Sequence, residues 1–300
     1  MSDLVRQIEQ LKADRKAVIL VHNYQRPEVQ DIADFLGDSL ELSRQAAATD
    51  AEVIVFCGVH FMAETAKILS PEKTVLMPDV RAGCPMADMI TAQQLLDERA
   101  QHPNATVVTY VNSSAAVKAE SDYCCTSGNA MAVCRAVDND EILFVPDRHL
   151  GDYVSRFVDK RFHLWRGFCP THVKIMPEDI RRCRDEYPDA EVIVHPECTR
   201  AVIDLADYAL STSGICKRAR ESAAQTFVIG TEVGILHRLR QENPDKTFVP
   251  ATERAICPNM KLGTLEKVLW CLEDLSNEVT VDDEIRRRAK RAIDRMVAIG

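Results

Sequence analysis

An α/β molecule of three pseudo-threefold-related αβα domains with parallel sheets is the fold class this sequence predicts. Two observations predict it: short β-branched runs alternate with amphipathic stretches, and those runs recur at a spacing near 85 residues. In chain order, residues 1–16 read as a charged helix with Ile8 and Leu11 on one face. Residues 17–21, 53–57, 74–77, 106–111, 142–145, 192–195 and 226–229 read as buried strands bounded by turn residues. The tail from Gly263 onward reads as two helices, with Thr264 and Thr280 as N-cap candidates, the last of them packing back on the body.

The self-similarity is specific. A shift of 85 lays Val107 to Asn112 on Val192 to Glu197 and Asp122-Tyr123 on Asp207-Tyr208. A shift of 88 lays Ile19 to Tyr24 on Val107 to Asn112, Asp34-Phe35 on Asp122-Tyr123, and Ile54-Val55-Phe56 on Ile142-Leu143-Phe144. Each unit closes on an R-x-x-C-P element, at Arg81 to Pro85, Arg166 to Pro170 and Arg254 to Pro258. Units this small bury too little core alone and are expected to pack around a common axis. The expected boundaries are residues 1–84, 85–169 and 170–257, followed by C-terminal helices in 258–300.

Composition narrows the function. The 300 residues are 46% hydrophobic and 28% charged, a globular profile, and no apolar run approaches the ~20 residues of a membrane span. A soluble, unexported, cytoplasmic protein is expected. The net charge of −9 carries no compensating basic domain, so nucleic acid is not an expected partner. Eleven cysteines without a C-x-x-C pair fit a reducing compartment that keeps thiols for burial, catalysis or metal.

The repeat then selects candidate residues. Ligands of βα architectures gather beyond the carboxyl ends of strands. The first strand of each unit ends in a polar pair, His22 and Tyr24, Tyr110 and Asn112, His195 and Glu197, each pair pointing to one face. Any one of these could simply cap a strand; three equivalent pairs point to a site. Ser39, Ser127 and Thr212 each stand five residues after a repeated aspartate and are expected as helix N-caps. Three helix N-termini aimed at one axis suit a small substrate with several carboxylates or a phosphate.

Cys84, Cys169 and Cys257 form the third set. Threefold packing brings them together, and three thiolates suit zinc or an iron–sulfur cluster. With no equivalent residue for a fourth ligand, such a centre keeps an open position and acts as a Lewis acid. The other eight cysteines, Cys124-Cys125 in a strand among them, read as buried apolar side chains. His172, close behind Cys169, reads first as a surface histidine, with reach into the site as the alternative. A sensing role for an iron–sulfur site and a zinc-dependent lyase on the same three thiolates are the rival readings.

Taken together, His22-Asn23-Tyr24, Gly37-Asp38-Ser39-Leu40, Gly83-Cys84-Pro85-Met86, Tyr110-Val111-Asn112, Thr126-Ser127, Gly167-Phe168-Cys169-Pro170, His195-Pro196-Glu197-Cys198, Ser211-Thr212-Ser213 and Cys257-Pro258-Asn259-Met260-Lys261 resemble the quinolinate synthase family over essentially the whole chain. The resemblance implies a triangular three-domain fold and a [4Fe-4S] cluster on Cys84, Cys169 and Cys257. It also implies condensation of iminoaspartate with dihydroxyacetone phosphate to quinolinate, phosphate and water, with an L-aspartate-oxidising or dehydrogenating enzyme as functional partner. It assigns His22, Ser39, Tyr110, Asn112, Ser127, His195, Glu197 and Thr212 to substrate binding, and Tyr24, Glu197 and His195 to catalysis. Pro258 and Asn259 stand where some members carry extra cysteines, which marks the short form. Leu210 stands where glycine is common, a change expected to reshape the pocket around Thr212 slightly.

Overall fold

The computed structural model describes residues 3–299, so Met1 and Ser2 of the expected first helix lie outside the described residues. The helix Asp3–Asp14 forms as its apolar stripe dictates and fully buries Ile8. Three parallel four-stranded sheets follow. The first holds β1 (Ala17–His22), β2 (Phe35–Gly37), β3 (Val53–Cys57) and β4 (Thr74–Leu76). The second holds β5 (Thr106–Tyr110), β6 (Tyr123–Cys125), β7 (Glu141–Val145) and β8 (Arg161–Leu164). The third holds β9 (Glu191–Val194), β10 (Tyr208–Ala209), β11 (Thr226–Gly230) and β12 (Thr247–Pro250). Every sheet has the same spatial order, second strand, first, third, fourth.

The predicted strands are all present, together with β2, β6, β8, β10 and β12. Those five are edge or near-edge segments of two to four residues, too short to show a hydrophobic period. The repeat holds to the single residue. Val18 pairs with Ile54, Thr106 with Ile142 and Glu191 with Phe227, positions related by the shifts of 88 and 85. The repeated aspartates explain how each second strand is seated. Asp34, Asp122 and Asp207 accept the backbone N–H of Ile19, Val107 and Val192 at 2.8, 2.9 and 2.7 Å.

Pleating divides the central strands between two cores. Ile19, Val21, Val55 and Cys57 face an outer core with Ile8, Val268 and Leu272, and Val107 with Leu143 or Val192 with Val228 do likewise in their own units. The alternate residues Leu20, Ile54, Phe56, Val108, Phe144, Ile193 and Ile229 enter one core common to all three units. Contacts between units repeat as well. Lys118 Nζ donates to the carbonyls of Ser113 and Phe61 at 2.7 and 3.4 Å, and its repeat-equivalent Gln30 donates through Nε2 to those of Gln25 and Gly234, both at 2.9 Å. Each thereby ties its own first-strand loop to a helix start in a neighbouring unit.

The C-terminal helices pack on the body. Leu265–Asp274 lies beside Asp3–Asp14, and Asp283–Ala298 crosses from the helices Ser39–Ala48 and His60–Leu69 of the first unit to Ala115–Ala119 and β6 of the second. It buries Ala289, Ala292, Ile293 and Met296. Thr264 caps its helix, but Asp282 and not Thr280 caps the last one, since a carboxylate there accepts both the Glu284 and Ile285 N–H groups. Among the described residues, no helix is long and apolar enough to cross a membrane.

Candidate active site and metal centre

All twelve residues selected from the sequence line one cavity of about 680 Å³ between the three sheets. The polar pairs extend from the carboxyl ends of β1, β5 and β9, where the order of strands places the switch between left and right connections. His22 and His195 share one device. The Nδ1 of His22 accepts the Tyr24 backbone N–H at 3.2 Å and that of His195 accepts the Glu197 N–H at 3.3 Å. Burial pushes both imidazoles down to about 3, so at neutral pH each is uncharged and carries its proton on Nε2. His195 turns that proton toward Ser127 Oγ at 3.1 Å.

Glu197 is 3% exposed and held from two sides. Its Oε1 accepts the Tyr110 hydroxyl at 2.5 Å and its Oε2 lies 2.7 Å from His172 Nδ1. Burial favours the protonated acid, but His172, His195 and these hydrogen bonds outweigh it and hold the carboxyl well below its ordinary range. Burial pushes Tyr24 and Tyr110 well above the ordinary phenol value, and the Glu197 charge adds to that, so both remain neutral donors. His172 reaches the site, the second of the two readings the sequence leaves open. It is 2% exposed, not a surface residue, because its ring stacks on His195 and bonds at both nitrogens. Its Nε2 lies 2.8 Å from Thr231 Oγ1, which is 2.5 Å from the Tyr24 hydroxyl. A continuous chain of hydrogen bonds therefore runs from Tyr110 through Glu197, His172 and Thr231 to Tyr24.

The three hydroxyl residues reach the cavity, but not as caps. Asp38 caps Ser39–Ala48 in a capping box with Glu41, and Ser211 caps Thr212–Glu221, leaving Ser39 and Thr212 as first helical residues. Ser127 precedes Asn129, the residue flanking Ala130–Ala136. At Asp38 and Ser211 the capping side chain is spent on backbone N–H groups, which leaves Ser39 and Thr212, one residue on, to line the cavity. Thr212 Oγ1 meanwhile accepts from Asn23 Nδ2 at 3.0 Å. The buried Oδ1 of Asn112 has no hydrogen-bond partner, an acceptor left for a ligand.

Cys84, Cys169 and Cys257 enter the cavity from equivalent turns, each just ahead of a short 3₁₀ segment, Ala87–Met89, His172–Lys174 and Asn259–Lys261. Proline follows each cysteine and offers no N–H, so the donors that face the sulfur come from the next residues: Met86 and Ala87, His172, and Asn259 and Met260. Burial raises all three thiols, that of Cys84 to about 12, and such groups favour a cation as partner to their ionised form. No disulfide uses them. Among the described residues, the donor set with all ligand atoms within 4.8 Å of one another is Cys169, His172 and Glu197, not the three cysteines. A single zinc bound tetrahedrally by three thiolates would need sulfurs only ~4 Å apart. Three thiolates from separate turns suit zinc or an iron–sulfur cluster.

The sequence did not single out Thr231, Glu232 or Asp147, although the shift of 85 that lays Asn112 on Glu197 also lays Asp147 on Glu232, just past β7 and β11. Extending the repeat to the third strands would have found them.

A family model described as Quinolinate synthetase A protein matches residues 6–298. The quinolinate synthase of Geobacter sp. (strain M21) is 56% identical over 292 residues, 97% of this chain and 96% of that protein. That of Geotalea uraniireducens (strain Rf4) is 55% identical over 297 residues, 99% and 98% of the two chains. Quinolinate synthase 1 of Methanosarcina acetivorans is 52% identical over 298 residues, again 99% and 98%. With its three matching sheets, its twelve converging residues and relatives similar from end to end, this chain belongs to the quinolinate synthetase A protein family.

Proposed function

We propose that the protein is a cytoplasmic enzyme that condenses iminoaspartate with dihydroxyacetone phosphate to quinolinate, phosphate and water. Cys84, Cys169 and Cys257 would hold a [4Fe-4S] cluster that, when bound, supplies a Lewis-acidic iron. The observation that carries this reading is the convergence of three repeat cysteines and one fully buried, ionised Glu197 on a single cavity. The units 1–84, 85–169 and 170–257, with the C-terminal helices in 258–300, each contribute one cysteine or a strap and none holds the site alone.

The residues divide the work by charge and proton. Neutral His22 and His195 present Nε2–H donors to carboxylate or phosphate oxygens without adding charge. Ser39, Ser127 and Thr212 add hydroxyls at helix starts, and Tyr110 and Asn112 complete the substrate contacts. Glu197, ionised and ordered by Tyr110 and His172, is a base able to take a proton from a carbon acid or amine. Tyr24, kept protonated by burial, is the complementary acid for a departing hydroxyl. The relay through Thr231 and His172 can return the proton from one to the other. Iminoaspartate is unstable in water, which fits supply by an L-aspartate-oxidising or dehydrogenating enzyme.

The test is anaerobic purification with iron and sulfide analysis alongside quinolinate formation. About four irons and four sulfides per chain are expected. Colourless protein with one zinc and full activity overturns the cluster reading and favours a mononuclear metal, for which Cys169, His172 and Glu197 are the tightest donor set.

A further inference from the structure

Superposing the units by sequence shift puts Val59, Asp147 and Glu232 at one position, two residues past β3, β7 and β11. The next residue makes the same backbone bond in every unit. The N–H groups of His60, Arg148 and Val233 reach the carbonyls of Ala82, Gly167 and Ala255 at 2.8, 2.9 and 3.0 Å. Each of those carbonyls lies two residues before a cavity cysteine, so all three cysteine turns are pinned alike through the backbone.

The side chains at the position are not alike. Glu232 is fully buried; its Oε1 accepts the backbone N–H of Cys257 at 3.1 Å and its Oε2 that of Gly234 at 2.7 Å. Its charge is met by Lys261 Nζ at 3.0 Å, which also donates to the Tyr24 carbonyl, so one buried pair joins the Cys257 turn to the β1 end. Asp147 is equally buried. Its Oδ1 accepts from His149 and Leu150 at 2.8 and 2.9 Å, while Oδ2 completes no hydrogen bond. Val59 offers the Cys84 turn no acceptor, and the side-chain bond there comes from Asn259 Nδ2 to the Gly83 carbonyl at 2.7 Å.

We propose that Glu232 is a positioning residue that holds the Cys257 turn in ligating geometry, a side-chain support that neither Asp147 nor Val59 gives at the equivalent position. The proposal rests on the three cysteines being the ligands of the metal centre. Its physical basis is general: groups that orient metal ligands without touching the metal govern how firmly it is held.

The test treats anaerobically loaded enzyme with a ferrous chelator and iodoacetamide, and maps alkylation of each cysteine by peptide mass over time. In the wild type, Cys84 is labelled before Cys257. Glu232→Ala accelerates Cys257 labelling and iron loss by roughly 10-fold or more and leaves the Cys84 rate unchanged. Glu232→Gln, which keeps one oxygen acceptor, accelerates Cys257 labelling less than Glu232→Ala does. Uniform acceleration of all three cysteines by Glu232→Ala, or none at Cys257, overturns the proposal. Should Glu232→Ala fail to fold, the wild-type order decides: labelling of Cys257 ahead of Cys84 overturns it. Wild-type protein that takes up no iron overturns the cluster reading instead, and the order of labelling still ranks the turns.

Discussion

Glu197 shows how a side chain acquires a task from its surroundings. A carboxyl buried to this degree would ordinarily stay protonated, and here Tyr110 and His172 reverse that. Replacing Glu197 by Gln keeps the shape and removes the base, so turnover should fall by roughly 10²-fold or more with iron content unchanged. Steady-state kinetics with parallel iron analysis checks this, and near-normal turnover removes Glu197 from the role. The two cavity imidazoles make a separate, thermodynamic prediction. His22 and His195 protonate near 3 in the folded protein and near 6.5 when unfolded. The unfolded chain therefore binds protons first on acidification. Folding stability is full above pH ~6.5 and declines by several kcal/mol as pH falls toward 3. Denaturant titrations at pH 7, 6, 5 and 4 should show the decline, flattened in His195→Gln; an identical slope in that variant refutes the assignment. His22, Tyr24, Tyr110 and His195 were legible because they end long apolar runs. His172 was not: three residues past Cys169 in a polar turn, its burial depends on a stack with His195 from another segment.

Elements were legible in proportion to their length and burial. β1, β3, β5, β7, β9 and β11 are four to six residues long, lie inside their sheets and are nearly all buried, so each announces itself as an apolar run. β10 has two residues, and β8 carries Arg161 and His163; their strand character comes from the neighbour that supplies hydrogen bonds. The shift analysis had already marked Asp34, Asp122 and Asp207 without giving a reason, and the reason is the N–H each accepts from the strand beside it. Replacing any of the three by Ala strands that N–H, at a cost of about 1–3 kcal/mol. Because the geometry repeats, chemical denaturation of the three variants should give losses within about 1 kcal/mol of one another; a cost confined to one unit contradicts the equivalence. The helix starts taught the opposite lesson. Sequence shift finds the equivalent hydroxyls Ser39, Ser127 and Thr212, yet the capping work falls on Asp38 and Ser211, one residue earlier.

At the scale of the whole molecule, threefold sequence similarity was enough to place twelve residues on one cavity, because equivalent positions of units packed around an axis must meet there. Similarity alone does not show where the symmetry ends. Outside the common core, the seams of the third unit carry polar contacts: Arg156 with Asp204 and Tyr153 with the Ala209 carbonyl on one side, Arg238 with Asn23 and His237 with Asp31 on the other. The seam between the first two units is covered by the helix Asp283–Ala298, with Ala289, Ala292, Ile293 and Met296 buried and Asn129 donating to the Met296 and Ile299 carbonyls. Polar seams can trade their hydrogen bonds for water at little cost, whereas parting an apolar one exposes that surface. Hydrogen exchange should accordingly be faster across Arg148–Ser155 and Arg200–Ile203 than across Ala115–Ala119, and equal protection would contradict this difference. Mechanically the cavity has unequal walls: one helix clamps two of them together through apolar burial, and side-chain hydrogen bonds fasten the third to both.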